Sequence, residues 1–446
     1  MSMSQTLNEK VVPAVMKFVN LKALQALKDG VLYTMPLNVI GSIFLLIAAF
    51  PSKAYTDFMA SIFGADWQTP LYKVQNGTMG LMGLVCVISI AYIYAKNEGF
   101  EPLSAGVMSL AVFFITTTNS INFTPKDSKE VFAVGGIPAG WLGAQGMITA
   151  ILIGLAVGYI YSWFMKKNIR IKMPDGVPSG VVDAFSAMIP ATAAFILADI
   201  IFIIFKYAFN NTTLVEFIYK VIQTPLQGLS DTPGGVFVIA FCIPFLWFFG
   251  VHGATVISGI VTPILQANTA DNAALQIKGT LDIAHGAHIF TQQFFDNFIN
   301  MAGSGETLGL VICMLLFAKS TQYKQLSRLA IVPNLFNINE PVLFGIPIVM
   351  NPMMAVPFII TPICTAMLLY AAIAMHLLAP MGGVMPPWTM PPVFSGFLIG
   401  GLPYAFAQLV FLVMGAAIWF PFFKKADNMA YAEEIAAQHH EKGVEA

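Results

Sequence analysis

The sequence predicts an all-α polytopic membrane protein, and three observations carry that reading. Of 446 residues, 57% are hydrophobic and 10% are charged, whereas a soluble domain carries charge on roughly a quarter. Mean hydropathy is +0.74, leaving too little polar surface to coat a water-soluble globule. The apolar residues run on for a helix length at a time instead of alternating, which disfavours a β-barrel. A net charge of −1 without a basic stripe excludes a nucleic-acid binder.

The elements follow in chain order. Residues 1–29 are amphipathic, with Val11, Val12, Val15, Phe18, Val19, Leu21, Leu24 and Leu27 at helical spacing among Lys10, Lys17, Lys22 and Lys28. No apolar core precedes a small-residue cleavage site, so an interfacial helix is expected and not a signal peptide. Apolar blocks follow at about 31–50, 77–95, 103–121, 143–165 and 188–209. With the N-terminus inside, the inner segments hold Lys10, Lys17, Lys22, Lys28, Lys96, Lys166, Lys167, Arg170 and Lys172. The outer loops (51–76, 122–142, 210–232) hold Lys53, Lys73, Lys126, Lys129 and Lys220, a bias of the right sign. Lys424-Lys425 places the C-terminal tail inside as well, so the number of crossings is even, about eight to ten.

The stretch 210–232 is less hydrophobic and amphipathic, and reads as a surface linker helix between two halves. Residues 1–209 read as plain spans suited to a scaffold, with short polar side chains such as Ser42, Ser89 and Ser109 fitted to close helix packing. The half at 233–423 has another texture, and 424–446 form the tail. Thr232–Ala270 is 39 residues without Asp, Glu, Lys or Arg, and Gly250-Val251-His252-Gly253 sits in its middle. Residues 341–423 carry no formal charge over 83 residues yet contain twelve prolines. Straight spans do not tolerate that; broken helices and re-entrant hairpins around a cavity do.

Polar groups inside apolar protein are costly, which singles out a few residues. His252 lies between glycines that permit a tight turn, where an imidazole can meet a ligand or merely cap a helix. Glu340 stands before Pro341, at an enforced helix break beside Asn337 and Asn339. A carboxylate with two amides is good equipment for binding several hydroxyl groups; the alternative is a glutamate in an aqueous loop. Trp388, between Pro386-Pro387 and Pro391-Pro392, offers a rigid face on which a sugar ring stacks, or else belongs to an interfacial belt. Trp141 and Trp247 read as belt residues. Asp199 reads as an inter-helix hydrogen bond in the scaffold.

Other features read as structural. Cys86, Cys242, Cys313 and Cys364 sit singly in apolar runs, which indicates neither zinc nor redox chemistry. The segment 271–306, with Asp271, Asp282, His285, His288 and Asp296, reads as a cytoplasmic loop without convincing metal spacing. His439-His440 and the acidic tail read as a solvated end. No GxxxxGK[ST], HExxH or GxSxG pattern occurs, nor a TVGYG-type filter. No cofactor or metal is expected.

The run Asn339-Glu340-Pro341-Val342-Leu343-Phe344-Gly345-Ile346-Pro347, continuing to Asn351-Pro352, resembles the signature of the membrane permease (IIC) subunit of the bacterial phosphoenolpyruvate-dependent sugar phosphotransferase system. Gly250-Val251-His252-Gly253 is similar to that family's histidine-bearing turn, and the lactose/cellobiose/diacetylchitobiose branch fits best. The resemblance implies ten spanning helices, two re-entrant hairpins and a homodimer joined through its N-terminal halves. It also implies an elevator-like movement in the bacterial cytoplasmic membrane. Glu340 and His252 would hold a disaccharide, of diacetylchitobiose or cellobiose type, near the hydroxyl that receives phosphate. The donor phosphocysteine would come from a separate IIB subunit docking on the cytoplasmic side. Two other classes remain open on the sequence: an ion-coupled secondary sugar transporter, for which only Glu340 is a suitable carboxylate in the C-terminal half, and a membrane enzyme acting alone.

Overall fold

A computed structural model describes residues 17, 21–50, 53–123, 132–174, 176–209, 212–346, 348 and 351–444. Among them six helices are long and apolar enough to cross a bilayer: Lys22–Ala48, Thr69–Asn97, Ala144–Lys166, Ser179–Ala208, Pro352–Ala374 and Phe394–Ala437. Leu214–Ser230 and Pro233–Phe248, bent at 76°, make a seventh if they form one broken span. Length and composition thus pick out fewer crossings than the ten the resemblance implies. Pro102–Thr116 and Leu308–Phe317 are apolar but short.

The chain divides into two compact units. Among the described residues, the first gathers the chain up to Phe50, Ala54–Leu229 and Ser258–Asp271; the second gathers Ser230–Ile257 and everything from Asn272. The sequence sets residues 1–209 apart from 233–423 by a linker at 210–232; in this partition the described linker residues up to Leu229, and Ser258–Asp271, lie with the first unit.

In the first unit, α1 (Lys22–Leu32), α2 (Met82–Asn97), α3 (Pro102–Thr116), α4 (Met147–Lys166) and α5 (Ser179–Ala208) enclose a core of Cys86, Val87, Ile90, Ala91, Phe113, Met147 and Val157. Close approach comes from small residues. A Cβ on Gly30 or Gly154 would crowd Ile90. Ser89 Oγ donates to the Gly30 carbonyl at 2.8 Å, and Ser109 Oγ donates to the Val87 carbonyl at 2.7 Å. Glu101 caps α3 by accepting from the Leu103 and Ser104 N–H groups, with Pro102 in the first turn, where its missing donor costs nothing. The described part of the N-terminal segment, α1, packs against α2 with Ala26, Gly30 and Val31 buried and forms the start of the candidate span Lys22–Ala48. It does not lie free on a surface, and residues 1–16 and 18–20 fall outside the description.

Several expectations are corrected here. Part of the outer loop at 122–142 is an antiparallel ladder, β1 (Ser120–Phe123) on β2 (Phe132–Gly135), with Ser120 opposite Gly135. Leu214–Ser230 is helical as expected, with a π-turn at Tyr219–Gln223. Yet Val215 and Ile218 are buried in the core, and Gln223 Nε2 donates to the Ala144 carbonyl at 3.0 Å. Asp199 makes no inter-helix hydrogen bond among the described residues; it sits exposed on α5 amid Ile196, Leu197, Ile200 and Ile203.

The second unit is built from α6 (Pro233–Phe248), α7 (Gly253–Ile277, shared with the first unit), α8 (Leu308–Phe317), α9 (Thr321–Leu335), α10 (Pro352–Ala374) and α11 (Phe394–Val444). α11 kinks at Gly400-Gly401, where Gly401 has a φ of +72°. α6 packs on α10, and α8 lies against α11. The tail is more than a solvated end. Asp427 is buried and accepts from the Lys319 and Ser320 N–H groups, and Glu434 accepts from those of Thr321 and Gln322 at the start of α9. The side chains of His439 and His440 lie outside the description.

Candidate functional site

The break after α9 is fixed by side-chain amides. Asn337 adopts the left-handed conformation, φ +63°, which asparagine tolerates better than most residues. Its Oδ1 accepts from the Ala302 N–H at 2.6 Å. Its Nδ2 donates to the carbonyls of Trp388 at 2.5 Å and Met390 at 2.9 Å. Asn339 Nδ2 donates to the Ser304 carbonyl at 2.7 Å and to Thr307 Oγ1 at 3.1 Å. The Asn339 carbonyl then accepts from the Val342 and Leu343 N–H groups, opening the short helix Glu340–Gly345 with Pro341 in its first turn.

Asn337, Asn339, Glu340 and Trp388 are thus brought together, but in unequal roles. Both asparagines are buried and their donors face protein. The sequence reading gave these amides to hydroxyl groups of a ligand; their Nδ2 groups instead tie the stretch before Glu340 to the Trp388–Met390 backbone and to the 301–307 loop. Glu340 is half-buried, and its carboxylate accepts no hydrogen bond from any described residue. Trp388 is 45% exposed while its carbonyl is held by Asn337.

The loop that receives these amides, residues 301–307, belongs to a segment that sequence reasoning misplaced. Far from being a solvated loop, residues 289–311 are among the most buried in the chain, with Phe290, Phe294 and Phe298 inaccessible. Ala302, Gly303, Gly305 and Glu306 all have positive φ, between +52° and +82°. A Cβ on Gly303 would overlap the Asn339 side chain, and one on Gly305 would overlap the Phe358 ring. Asp296 and Glu306 hid this in the sequence, because charge reads as solvent. The Gly-Ser-Gly spacing at 303–305 was the signal that something approaches the backbone closely.

Asn272, Gln276 and Gln293 sew down the irregular run after α10. Their amides bond Met381 O, Gly383 N, and the Gly382 and Val384 carbonyls. Asp231, at the start of α6, accepts from the Ile289 and Phe290 N–H groups and lies 3.2 Å from His288 Nδ1. His288 thus contributes to the attachment of this segment.

His252 is placed with a different group. Gly250 turns the chain with φ +76°, and Gly253 approaches the Ile243 carbonyl so closely that a Cβ would collide with it. His252 Nδ1 accepts from the Thr255 N–H at 3.2 Å and caps α7. A neutral imidazole accepting at Nδ1 carries its proton on Nε2, a donor. The exposed ring lies 4.5 Å from the Trp247 ring, whose Nε1 is buried without an acceptor among the described residues. Trp247, read from sequence as a belt residue, is the histidine's packing partner.

The comparisons with known proteins fit this geometry. Residues 28–362 match the model of the phosphotransferase system EIIC family. The chain belongs to the phosphotransferase-system EIIC family. This EIIC chain is 40% identical to the lichenan permease IIC component of Bacillus subtilis (strain 168), over 97% of its own length and 95% of the relative's. It is 37% identical to the cellobiose-specific EIIC component of Geobacillus stearothermophilus, over 96% and 95%. The crystal structure of the transporter ChbC, the IIC component of an N,N'-diacetylchitobiose-specific system, superposes with a TM-score of 0.91 at 37% identity, covering 96% of this chain and 99% of that one. The EIIC chain is a helical membrane protein and a sugar permease of the phosphotransferase system, acting with a IIB partner, a reading supported over that of an ion-coupled carrier.

Proposed function

We propose that this EIIC carries a β-linked disaccharide or short oligosaccharide of the cellobiose or diacetylchitobiose type, with Glu340 as its principal ligand. One observation carries the reading. In the Asn337–Glu340 run, the two asparagine side chains are spent on protein, whereas the half-buried carboxylate between them and Pro341 accepts nothing from the described residues. A carboxylate so placed accepts two hydroxyl hydrogen bonds, each about twice as strong as a neutral one. His252 donates from Nε2, and Trp388 offers its exposed face to a ring. Asn337 and Asn339 position these groups from behind. Sugars named for the lichenan, cellobiose and diacetylchitobiose relatives support the substrate class.

In this reading the sugar's hydroxyl is phosphorylated from a phosphocysteine of IIB on the cytoplasmic side of a bacterial cytoplasmic membrane, with both termini inside. A cysteine introduced at position 430 should react with an impermeant reagent only after the cells are opened. The protein works as a homodimer joined through residues 1–209. Asp199 supports that division, since a carboxylate facing lipid costs about 2.5–3.5 kcal/mol and the face it shares with Ile196 and Ile203 is better covered by a second copy.

The test is reconstitution in liposomes with and without phosphorylated IIB. Cellobiose or diacetylchitobiose should appear inside as the phosphate only when IIB is present. Uptake of unmodified sugar that follows a proton or sodium gradient would overturn the proposal.

A further inference from the structure

The Thr307 side chain lies at a junction that the proposed ligands do not explain. Its residue is fully buried, and its hydroxyl uses every hydrogen-bonding position it has. It donates to the Ala302 carbonyl at 3.3 Å, and it accepts from Asn334 Nδ2 at 2.9 Å and from Asn339 Nδ2 at 3.1 Å. One hydroxyl has one donor and two acceptor positions, so the set is complete. The three partners come from two separate pieces of chain: the left-handed loop 301–307, and the end of α9 with the break that follows it. Asn334 and Asn339 lie on opposite sides of left-handed Asn337, so Thr307 spans the break from its helical side to the start of the Glu340 helix.

Asn339 is the piece through which this matters. Among the described residues its side chain is held by the Ser304 carbonyl and by Thr307, and its backbone carbonyl accepts from the first N–H groups of the helix that Glu340 begins. Gly303 leaves no room for the Asn339 side chain to shift toward the loop. A displaced Asn339 therefore displaces the peptide that carries Glu340.

We infer that Thr307 is a positioning residue for the sugar site: its hydroxyl, accepting from Asn334 and Asn339 together, sets the placement of the Glu340 carboxylate. This rests on the assignment of Glu340 to the sugar, and the test keeps the two apart.

Thr307→Val keeps the shape and removes both acceptor positions, leaving one N–H of each amide without its partner in a buried setting. Thr307→Ser keeps the hydroxyl. Each is titrated calorimetrically with cellobiose or diacetylchitobiose, whichever the parent protein binds better, in the parent and in the Glu340→Gln background. The valine variant should bind about tenfold more weakly and the serine variant within about twofold of the parent. In the Glu340→Gln background the valine substitution should change affinity by less than about twofold, because its effect passes through the carboxylate. A purely structural defect would weaken binding equally in both backgrounds. If the valine variant does not fold, Thr307→Cys, which puts a weakly accepting thiol in place of the hydroxyl, should give an intermediate loss with the same background dependence.

Parent-like affinity in Thr307→Val, a loss that persists in the Glu340→Gln background, or a serine variant as weak as valine each overturns the inference. Where Glu340→Gln loses affinity and Thr307→Val does not, the Glu340 assignment stands and only the role of Thr307 falls. Unchanged affinity in Glu340→Gln removes both.

Discussion

Glu306 Oε2 accepts a hydrogen bond from Thr365 Oγ1 at 2.8 Å, while its Oε1 is buried with no partner among the described residues. No described Lys, Arg or His pairs with this carboxylate, although the residue is 2% exposed. A buried carboxylate without a cation is costly, and a neutral amide of the same shape keeps an acceptor for Thr365. Glu306→Gln should therefore fold normally and unfold at the same or a higher temperature, with a gain of roughly 1 kcal/mol. Thermal unfolding in detergent decides it, and a lower midpoint would mean that the charge itself is used.

Glu340→Gln keeps shape and one acceptor oxygen but loses the charge. Disaccharide affinity should fall by about tenfold or more, corresponding to roughly 1.5–3 kcal/mol. His252→Ala should weaken binding too, and the double variant should be less than additive if both side chains hold one hydroxyl region. Because His252 also caps α7, its variant must be compared at equal folded fraction. Calorimetric titration of a folded protein that shows unchanged affinity for Glu340→Gln removes it from the site.

At the other unit, Glu98 lies between Lys22 Nζ at 2.7 Å and Lys166 Nζ at 2.5 Å, with its side chain 5% exposed. Burial alone would raise its pKa. The ammonium groups of Lys166 and Lys22 outweigh that and hold the carboxyl below the usual carboxylate range. A group whose folded value is depressed stabilises fully above its unfolded value, 4.5 here, and loses that contribution as pH falls through the folded value. Stability should be flat in this respect near neutrality and fall on acidification below about pH 4.5. Glu98→Gln should lower the neutral plateau and flatten the acid limb, as read by unfolding midpoints from pH 7 to 3. An unchanged acid limb would show that the triad is not closed in solution.

If α5 meets a second copy, Ile196 and Ile203 lie on the face shared with Asp199. Single cysteines at these positions, in a background lacking Cys86, Cys242, Cys313 and Cys364, should crosslink between protomers on mild oxidation. Crosslinks arising instead from residues 341–423 would show that the subunit contact lies elsewhere.

Much of this was readable before any coordinates. The Asn-Ile-Asn-Glu-Pro run marks a break because proline and left-handed asparagine act locally, although the proline-rich stretch beyond it still holds the continuous helix α10 with Pro357 and Pro362 inside it. The glycines around His252 likewise announce a turn by their own conformational freedom. What escaped notice depends on contacts distant in sequence. Glu306 reads as solvent-facing until Thr365, 59 residues away, is brought beside it. Trp247 reads as a belt residue until His252 is folded onto its ring. Asn337 and Asn339 read as free amides until the 301–307 loop and the Trp388–Met390 backbone take their hydrogen bonds. Residue type gives a side chain's capacity, and only the fold says where that capacity is spent.

Gly305 and Phe358 make a pair that chemistry cannot alter singly. The backbone at 305 is left-handed, and the space where its side chain would stand is filled by an aromatic ring on α10. Any residue with a side chain at 305 meets two penalties at once, and trimming Phe358 relieves only one. As relatives drift apart, the two positions should covary or stay fixed together. The permease can therefore vary the exposed face of Trp388 and its loop more freely than the turn behind it.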